Sequence, residues 1–389
     1  MSSDHHDPVG LAQSLIRCRS VTPAEGGALT FLQSVLEPAG FTCHRMTMRE
    51  PGTPDVENLY ARLGTSAPHL CFAGHTDVVP VGDEAAWSHP PFCGEIADGV
   101  LYGRGAVDMK GGIACFLAAA LDYVKGNSGL PRGSLSFLIT GDEESVAING
   151  APKLLVWLKE RGETLDACVV GEPASAETIG DGIKIGRRGY VNAKVVVHGK
   201  QGHSAYGERA ENPIPKLARI IDRLSTTPLD TGTAHFQPSS LQATIISVPT
   251  SATNVIPGTA FANFNIRYND LHTRAGIEAW VQEQCESAAR EVDARFSLSF
   301  EGTGNVFLTQ PGPLVHTMSA AVEAVTGRKP ALTTNGGTSD ARFIKELCPV
   351  VEAGLLNSMA HQVDECISVA DLAALTAIYR AFLEGYFSK

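Results

Sequence analysis

The feature that most constrains this chain is a pattern repeated three times: a short apolar run reaches a glycine, and the next residues carry an imidazole or carboxylates. His69 to Ala73 (H-L-C-F-A) runs into Gly74-His75-Thr76-Asp77. Ser134 to Ile139 (S-L-S-F-L-I) leads to Gly141-Asp142-Glu143-Glu144, and Ala167 to Val170 (A-C-V-V) leads to Gly171-Glu172-Pro173. Runs this short and this apolar, bounded by turn signals, predict buried strands. Helical patterns separate them: Ile113, Phe116, Leu117, Ala120, Leu121 and Val124, then Leu154, Leu155 and Leu158, stopped by Gly162. Strand and helix in alternation predict an α/β fold, a mostly parallel sheet flanked by helices. Asp7-Pro8 reads as an N-cap with proline in the first turn of a helix. Pro349 to Ala353 reads as another strand, and Ser368 with Asp371 as a capping box for the final helix.

The pattern changes near Gly189. Tyr190 to His198 alternates as a half-exposed antiparallel strand does, and Leu241 to Val248 and Ala260 to Tyr268 read similarly. With helical patterns at Ile214, Leu217, Ile220, Ile221 and Leu224, and at Ile277, Val281, Cys285 and Ala288, the order becomes β-α-β-β-α-β. That predicts an inserted α+β ferredoxin-like domain over residues 189–301, within a larger domain made of 1–188 and 302–389. A chain of 389 residues is too long for one ordinary core in any case.

Bulk properties exclude several functions. A net charge of -11 argues against nucleic acid as a partner. No run approaches the ~18 apolar residues of a membrane span. Met1 to Pro8 is polar and acidic, without the basic and apolar regions of a secretory signal. The nine cysteines are scattered, with no C-x-x-C pair, which fits free thiols in a cytoplasmic protein better than disulfides or a thiolate metal site.

In open α/β sheets, ligands gather beyond the carboxyl ends of the strands. Three strands here deliver His or acid residues to that edge. Gly105-Ala106-Val107-Asp108-Met109-Lys110 and the late His361 complete five candidate segments. Each has a structural explanation when taken alone: His75 as a buried hydrogen-bonded histidine, Asp108 as a helix N-cap, Glu143-Glu144 as solvated loop charge, Glu172 as a turn residue, His361 as a surface histidine. Adjacent carboxylates at the end of an apolar strand are nevertheless costly unless a cation compensates them. Mixed His and carboxylate donors without cysteine suit a catalytic divalent ion.

The series G-H-T-D, G-R-G-A-V-D-M-K-G-G, G-D-E-E, G-E-P and H-Q-V-D-E closely resembles the M20 family of metal-dependent amidohydrolases and peptidases, along nearly the whole chain. The resemblance implies a zinc-exopeptidase-like catalytic fold, with the inserted domain serving as dimerisation module and lid. It implies two divalent ions per protomer, Zn2+ foremost and Co2+ as the other candidate. His75 and Glu172 would bind one ion, Glu144 and His361 the other, and Asp108 both. Asp77 would orient the His75 imidazole, and the Asp108-Met109 peptide would be cis. Glu143 would be a general base that takes a proton from the attacking water and passes it to the leaving amine.

The same resemblance assigns His203 to the partner's active site in a homodimer, where it would help stabilise an oxyanion; a lone histidine there could equally cap a turn. Arg187, Tyr206, Asn254, Arg267, Gly337 and Thr338 would contact substrate. Two arginines suit a dicarboxylic N-acyl amino acid, because guanidinium groups grip carboxylates bidentately. Alternatives are a family member acting on a neutral acetyl group or a dipeptide, and a non-catalytic metal-binding protein on the same fold. Glu143 argues against the last, since a structural site needs ligands but no base.

Overall fold

A computed structural model describes residues 6–130 and 132–388, so Met1–His5, most of the polar N-terminal stretch, lie outside the described residues. The chain forms two compact units. One comprises Met1–Ile185, Thr309–Thr333 and Ser339–Lys389, the other Gly186–Leu308 and Thr334–Thr338.

The first unit is built on a mixed eight-stranded sheet. Its order is Thr42–Met48, Val56–Leu63, Ser134–Thr140, His69–His75, Ala167–Val170, Val350–Glu352, Gly182–Lys184, Ala331–Thr333. The four middle strands, from Ser134–Thr140 to Val350–Glu352, are parallel. Antiparallel pairings flank them on both sides. Every residue of Ser134–Thr140, His69–His75 and Ala167–Val170 is buried, as parallel strands covered on both faces must be. This is why their sequences run apolar instead of alternating.

Helix Lys110–Gly126 is buried along nearly its whole length. Phe116 on that helix stacks on Phe72 at 4.2 Å and meets Tyr379 of the last helix, Val369–Phe387, edge-on at 5.1 Å. Local capping is as the sequence predicts. Asp7 accepts from the Val9 and Gly10 amides at the start of Pro8–Arg17, and Ser368 Oγ accepts from the Asp371 amide. One glycine matters for close approach: a Cβ on Gly171 would lie 2.6 Å from Phe72 Cζ and 2.8 Å from Met109 Cε.

In the second unit, the strands are ordered Ser240–Ser247, Thr259–Tyr268, Gly189–His198, Arg295–Gly304, all antiparallel. With helices Pro213–Thr226 and Arg274–Glu291 this is the ferredoxin-like β-α-β-β-α-β arrangement. Alternate residues Val191, Ala193, Val195 and Val197 enter its core beside Leu217, Ile220, Val281 and Cys285. The unit takes in more chain than that pattern alone marks, because a two-residue ladder joins Gly186–Arg187 to Phe307–Leu308. No described helix is long and apolar enough to cross a membrane. All nine cysteines are free thiols.

Asp230 ties the second unit's loops together. It accepts from the Gly232 amide (2.8 Å), the Ser239 amide (3.1 Å), Asn269 Nδ2 (2.7 Å) and His272 Nε2 (2.9 Å). Burial alone would raise its carboxyl, but the bonds from Ser239, Gly232 and His272 outweigh that and lower it to about 2. A depressed carboxylate stabilises the fold above its unfolded value, near 3.9, and loses that contribution as pH falls toward 2. Asp230→Asn is therefore expected to destabilise by about 2–3 kcal/mol at pH 7. In thermal melts the gap from wild type should hold above pH 5 and shrink below pH 4.

Candidate metal centre

The sheet register brings three acid-bearing turns level. His75 lies beside Thr140, so Gly141-Asp142-Glu143-Glu144 emerges next to His75-Thr76-Asp77. Ala73 lies beside Val170, which places Gly171-Glu172 on the other flank. The structure brings His75, Asp108, Glu143, Glu144, Glu172 and His361 together in the first unit. The donor atoms of His75, Asp108 and Glu144 lie within 4.8 Å of one another, as do those of His75, Glu143 and Glu172.

Asp108 stands between two imidazoles. Its Oδ1 is 3.2 Å from His75 Nε2, and its Oδ2 is 3.4 Å from His361 Nε2. Glu172 Oε1 lies 3.5 Å from His75 Nε2, and Glu144 Oε1 lies 2.8 Å from His361 Nε2. Capping does not occupy Asp108, because the N-cap of Lys110–Gly126 is Met109. The Asp108-Met109 peptide is cis. Of these six residues only His361 is exposed, and it adopts a left-handed φ of 64°.

His75 Nδ1 is 2.9 Å from the Asp77 carbonyl, which can only accept. Nδ1 therefore carries a proton, and Nε2 is the nitrogen turned toward Asp108 and Glu172. The Asp77 carboxylate lies farther from that nitrogen, at 3.5 Å. Instead it accepts from the Glu143 amide at 3.3 Å and the Glu144 amide at 3.1 Å. Asp77 thus fixes the ring through its backbone and the tandem acids through its side chain.

Charge is badly balanced here. Burial raises the Glu143 carboxyl well above the usual range, and the nearby Glu172 carboxylate adds to the rise. Burial alone would lower the His75 imidazole, but hydrogen bonds to Asp108, Asp77 and Glu172 hold it well above its ordinary value. Bonds to Asp108 and Glu144 raise His361 to about 10. Carboxylate oxygens and imidazole nitrogens with no thiolate among them are the donors a divalent ion such as Zn2+ or Co2+ takes, so the residues fit one.

Two neighbours were not singled out from sequence. Asp340, in G-G-T-S-D, is buried, and its Oδ1 has no hydrogen-bond partner. Burial pushes its carboxyl up to about 7, against the pull of Arg342 and His75. Lys110 is buried too, donates from Nζ to the Cys18 carbonyl at 2.8 Å, and is lowered by burial to about 8. Its place at the end of the candidate segment Gly105 to Lys110 is the only signal the sequence carries for it.

The remaining predicted residues lie in the second unit. His203 is exposed, and its Nδ1 accepts from the Ala205 amide at 3.0 Å, which is the turn-capping role. Tyr206 is exposed 5.7 Å from the His203 ring, and the Asn254 carbonyl accepts from the Ser204 amide at 3.0 Å. Arg187 is buried and donates to the Gly337 carbonyl at 2.9 Å, beside Thr338. Arg267 donates from Nε to Asn265 Oδ1 at 3.0 Å and lies 5.1 Å from the Tyr190 ring centre.

Residues 71–385 match the family model described as peptidase family M20/M25/M40. The chain belongs to that family. It is 57% identical over 382 residues to the succinyl-diaminopimelate desuccinylase of Bradyrhizobium sp. (strain BTAi1), covering 98% of this chain and 100% of the relative. Among solved structures, an M20 family metallo-carboxypeptidase from Sulfolobus solfataricus superposes with a TM-score of 0.77 at 18% identity, over 98% of this chain and 100% of the other. A Bacillus subtilis protein described as a dinuclear metal binding peptidase from the M20 family superposes with a TM-score of 0.73 at 16% identity, over 98% of both chains. At such identities these two establish the fold alone.

The donor set predicts a measurable linkage. Zn2+ or Co2+ added to chelated protein is expected to raise its melting temperature. A free ion a hundredfold above its dissociation constant contributes about 2.7 kcal/mol. Asp108→Ala should abolish most of that rise in scanning calorimetry.

Proposed function

We propose that this protein hydrolyses N-succinyl-LL-2,6-diaminopimelate to succinate and LL-2,6-diaminopimelate, in diaminopimelate and lysine biosynthesis, as a cytoplasmic homodimer. The observation that carries this reading is the 57% identity, over 98% of the chain, to a succinyl-diaminopimelate desuccinylase. The acid-rich site supports it, because amide hydrolysis needs a positioned base and a strong electrostatic partner for the carbonyl.

In this reading His75 and Glu172 hold one divalent ion, Glu144 and His361 the other, and Asp108 contributes to both. Bound there, Zn2+ or Co2+ supplies Lewis acidity toward the scissile carbonyl and the attacking water. Glu143 takes the proton from that water and delivers it to the departing amine. Its burial suits a group that must hold a proton between two transfers. Asp77 keeps Glu143 in place by accepting its amide. Arg187 and Arg267 bind substrate carboxylates, a role that matches a succinyl arm and an amino-acid backbone each bearing carboxylate. Tyr206, Asn254, Gly337 and Thr338 complete the substrate contacts, and His203 serves the second protomer's oxyanion.

The deciding assay compares N-succinyl-LL-diaminopimelate with N-acetylornithine, using metal-loaded and chelated protein. Chelator-sensitive release of succinate with little deacetylation is expected; faster deacetylation would overturn the substrate assignment. Glu143→Ala should keep its metal content by elemental analysis and lose about 10²–10⁴ in kcat. His203→Ala should lose about 10²–10³ in kcat with metal content and dimer unchanged.

A further inference from the structure

Behind the candidate centre lies a buried ion pair that joins two distant segments of the first unit. Arg104 Nη1 donates to Glu365 Oε2 at 2.7 Å, with the two side chains 2% and 0% exposed. Nothing about a pair this deep recommends it for stability alone, since desolvating both charges costs about as much as their attraction returns. Its remaining contacts show what it organises. Glu365 Oε1 accepts from the Val107 amide at 2.9 Å and the Asp108 amide at 3.2 Å. Arg104 Nη1 also donates to the Gln362 carbonyl at 3.1 Å, and Nη2 to the His361 carbonyl at 3.4 Å. The Gly103 amide completes the clasp by donating to the Glu365 carbonyl at 2.8 Å.

Each partner thus holds the backbone of the other's segment. The carboxylate from the late segment fixes the peptide of Asp108. The guanidinium from the early segment fixes the carbonyl of His361, whose left-handed φ is unusual for a residue with a side chain and needs support from its surroundings. Trp87 stacks near the guanidinium, 5.0 Å from ring centre to Cζ, and closes that side of it.

We propose that Arg104 and Glu365 are positioning residues that hold Asp108 and His361 in register, and so set the affinity of the ion taken by His361, Glu144 and Asp108 more than that of the ion taken by His75 and Glu172. The proposal rests on the metal reading above. Lysine at 104 can keep the charge beside Glu365, but it lacks the fork that reaches the His361 and Gln362 carbonyls together. The double variant Arg104→Met/Glu365→Gln removes both charges and leaves an amide oxygen for the Val107 and Asp108 amides.

The test titrates chelated protein with Co2+, following visible absorbance and calorimetric stoichiometry, for wild type, Arg104→Lys, the double variant and His361→Ala. The expected result is that Arg104→Lys and the double variant each weaken one of two binding steps at least tenfold. The other step should change less than threefold, and the melting temperature of the chelated protein should stay near wild type. Equal weakening of both steps, or no weakening in a folded variant, overturns the proposal. So does an Arg104→Lys protein that does not fold, since the pair would then serve the fold as a whole. Failure of the underlying reading looks different: wild type would bind fewer than two ions, or His361→Ala would bind as wild type does.

Discussion

Too many carboxylates in too little water is the condition around which the first unit is organised. Asp77, Asp108, Glu143, Glu144 and Glu172 come from four turns and meet over the ends of strands whose every residue is buried. Left to themselves such groups repel, and the raised proton affinity of Glu143 is the visible sign. The fold answers with direction. Asp108 divides its oxygens between two imidazoles, and Asp77 spends its carboxylate on the amides of the tandem acids. A cluster of this kind is poised for a cation and cannot be relaxed without losing that property.

Holding it requires rigid backbone close behind the donors. Parallel central strands provide it, since their hydrogen bonds leave the strand ends level and their burial leaves no room to shift. The small residues at the turns are part of the same demand: Gly171 passes so near Phe72 and Met109 that any side chain would collide. Packing, register and chemistry are therefore one constraint expressed at three scales.

Much of this was legible in the sequence because the signals are local. The apolar strands ending in glycine and acid, the caps at Asp7 and Ser368, and the ferredoxin-like strand order all appear within short windows. What stayed hidden depends on contacts between distant segments. Arg104 and Glu365 are 261 positions apart, and although each stands in a motif of the site, nothing in either motif says that the two pair. The expectation that Asp77 orients His75 does not say by which atom, and its backbone carbonyl is nearer to the ring than its carboxylate. Asp340 lies in a glycine-rich, polar turn whose sequence does not signal that the carboxyl is buried. The two antiparallel strands at one side of the sheet, Thr42–Met48 and Val56–Leu63, carry mixed polar and apolar residues without a clear period.

The order of strands also bears on how the chain is made. Val350–Glu352 sits between Ala167–Val170 and Gly182–Lys184, so the middle of the sheet has a gap that only a late segment can fill. Translation supplies residues at about 5–20 per second, which leaves the nascent sheet with two open inner edges for roughly ten to forty seconds. The ferredoxin-like unit, encoded almost entirely within that interval, has its own core and can fold while the sheet waits. Unpaired strand edges are templates for other chains. The hazard in producing this protein thus falls on the ribosome-bound chain, before His361 has emerged, and slowing synthesis of the insert would lengthen that exposure.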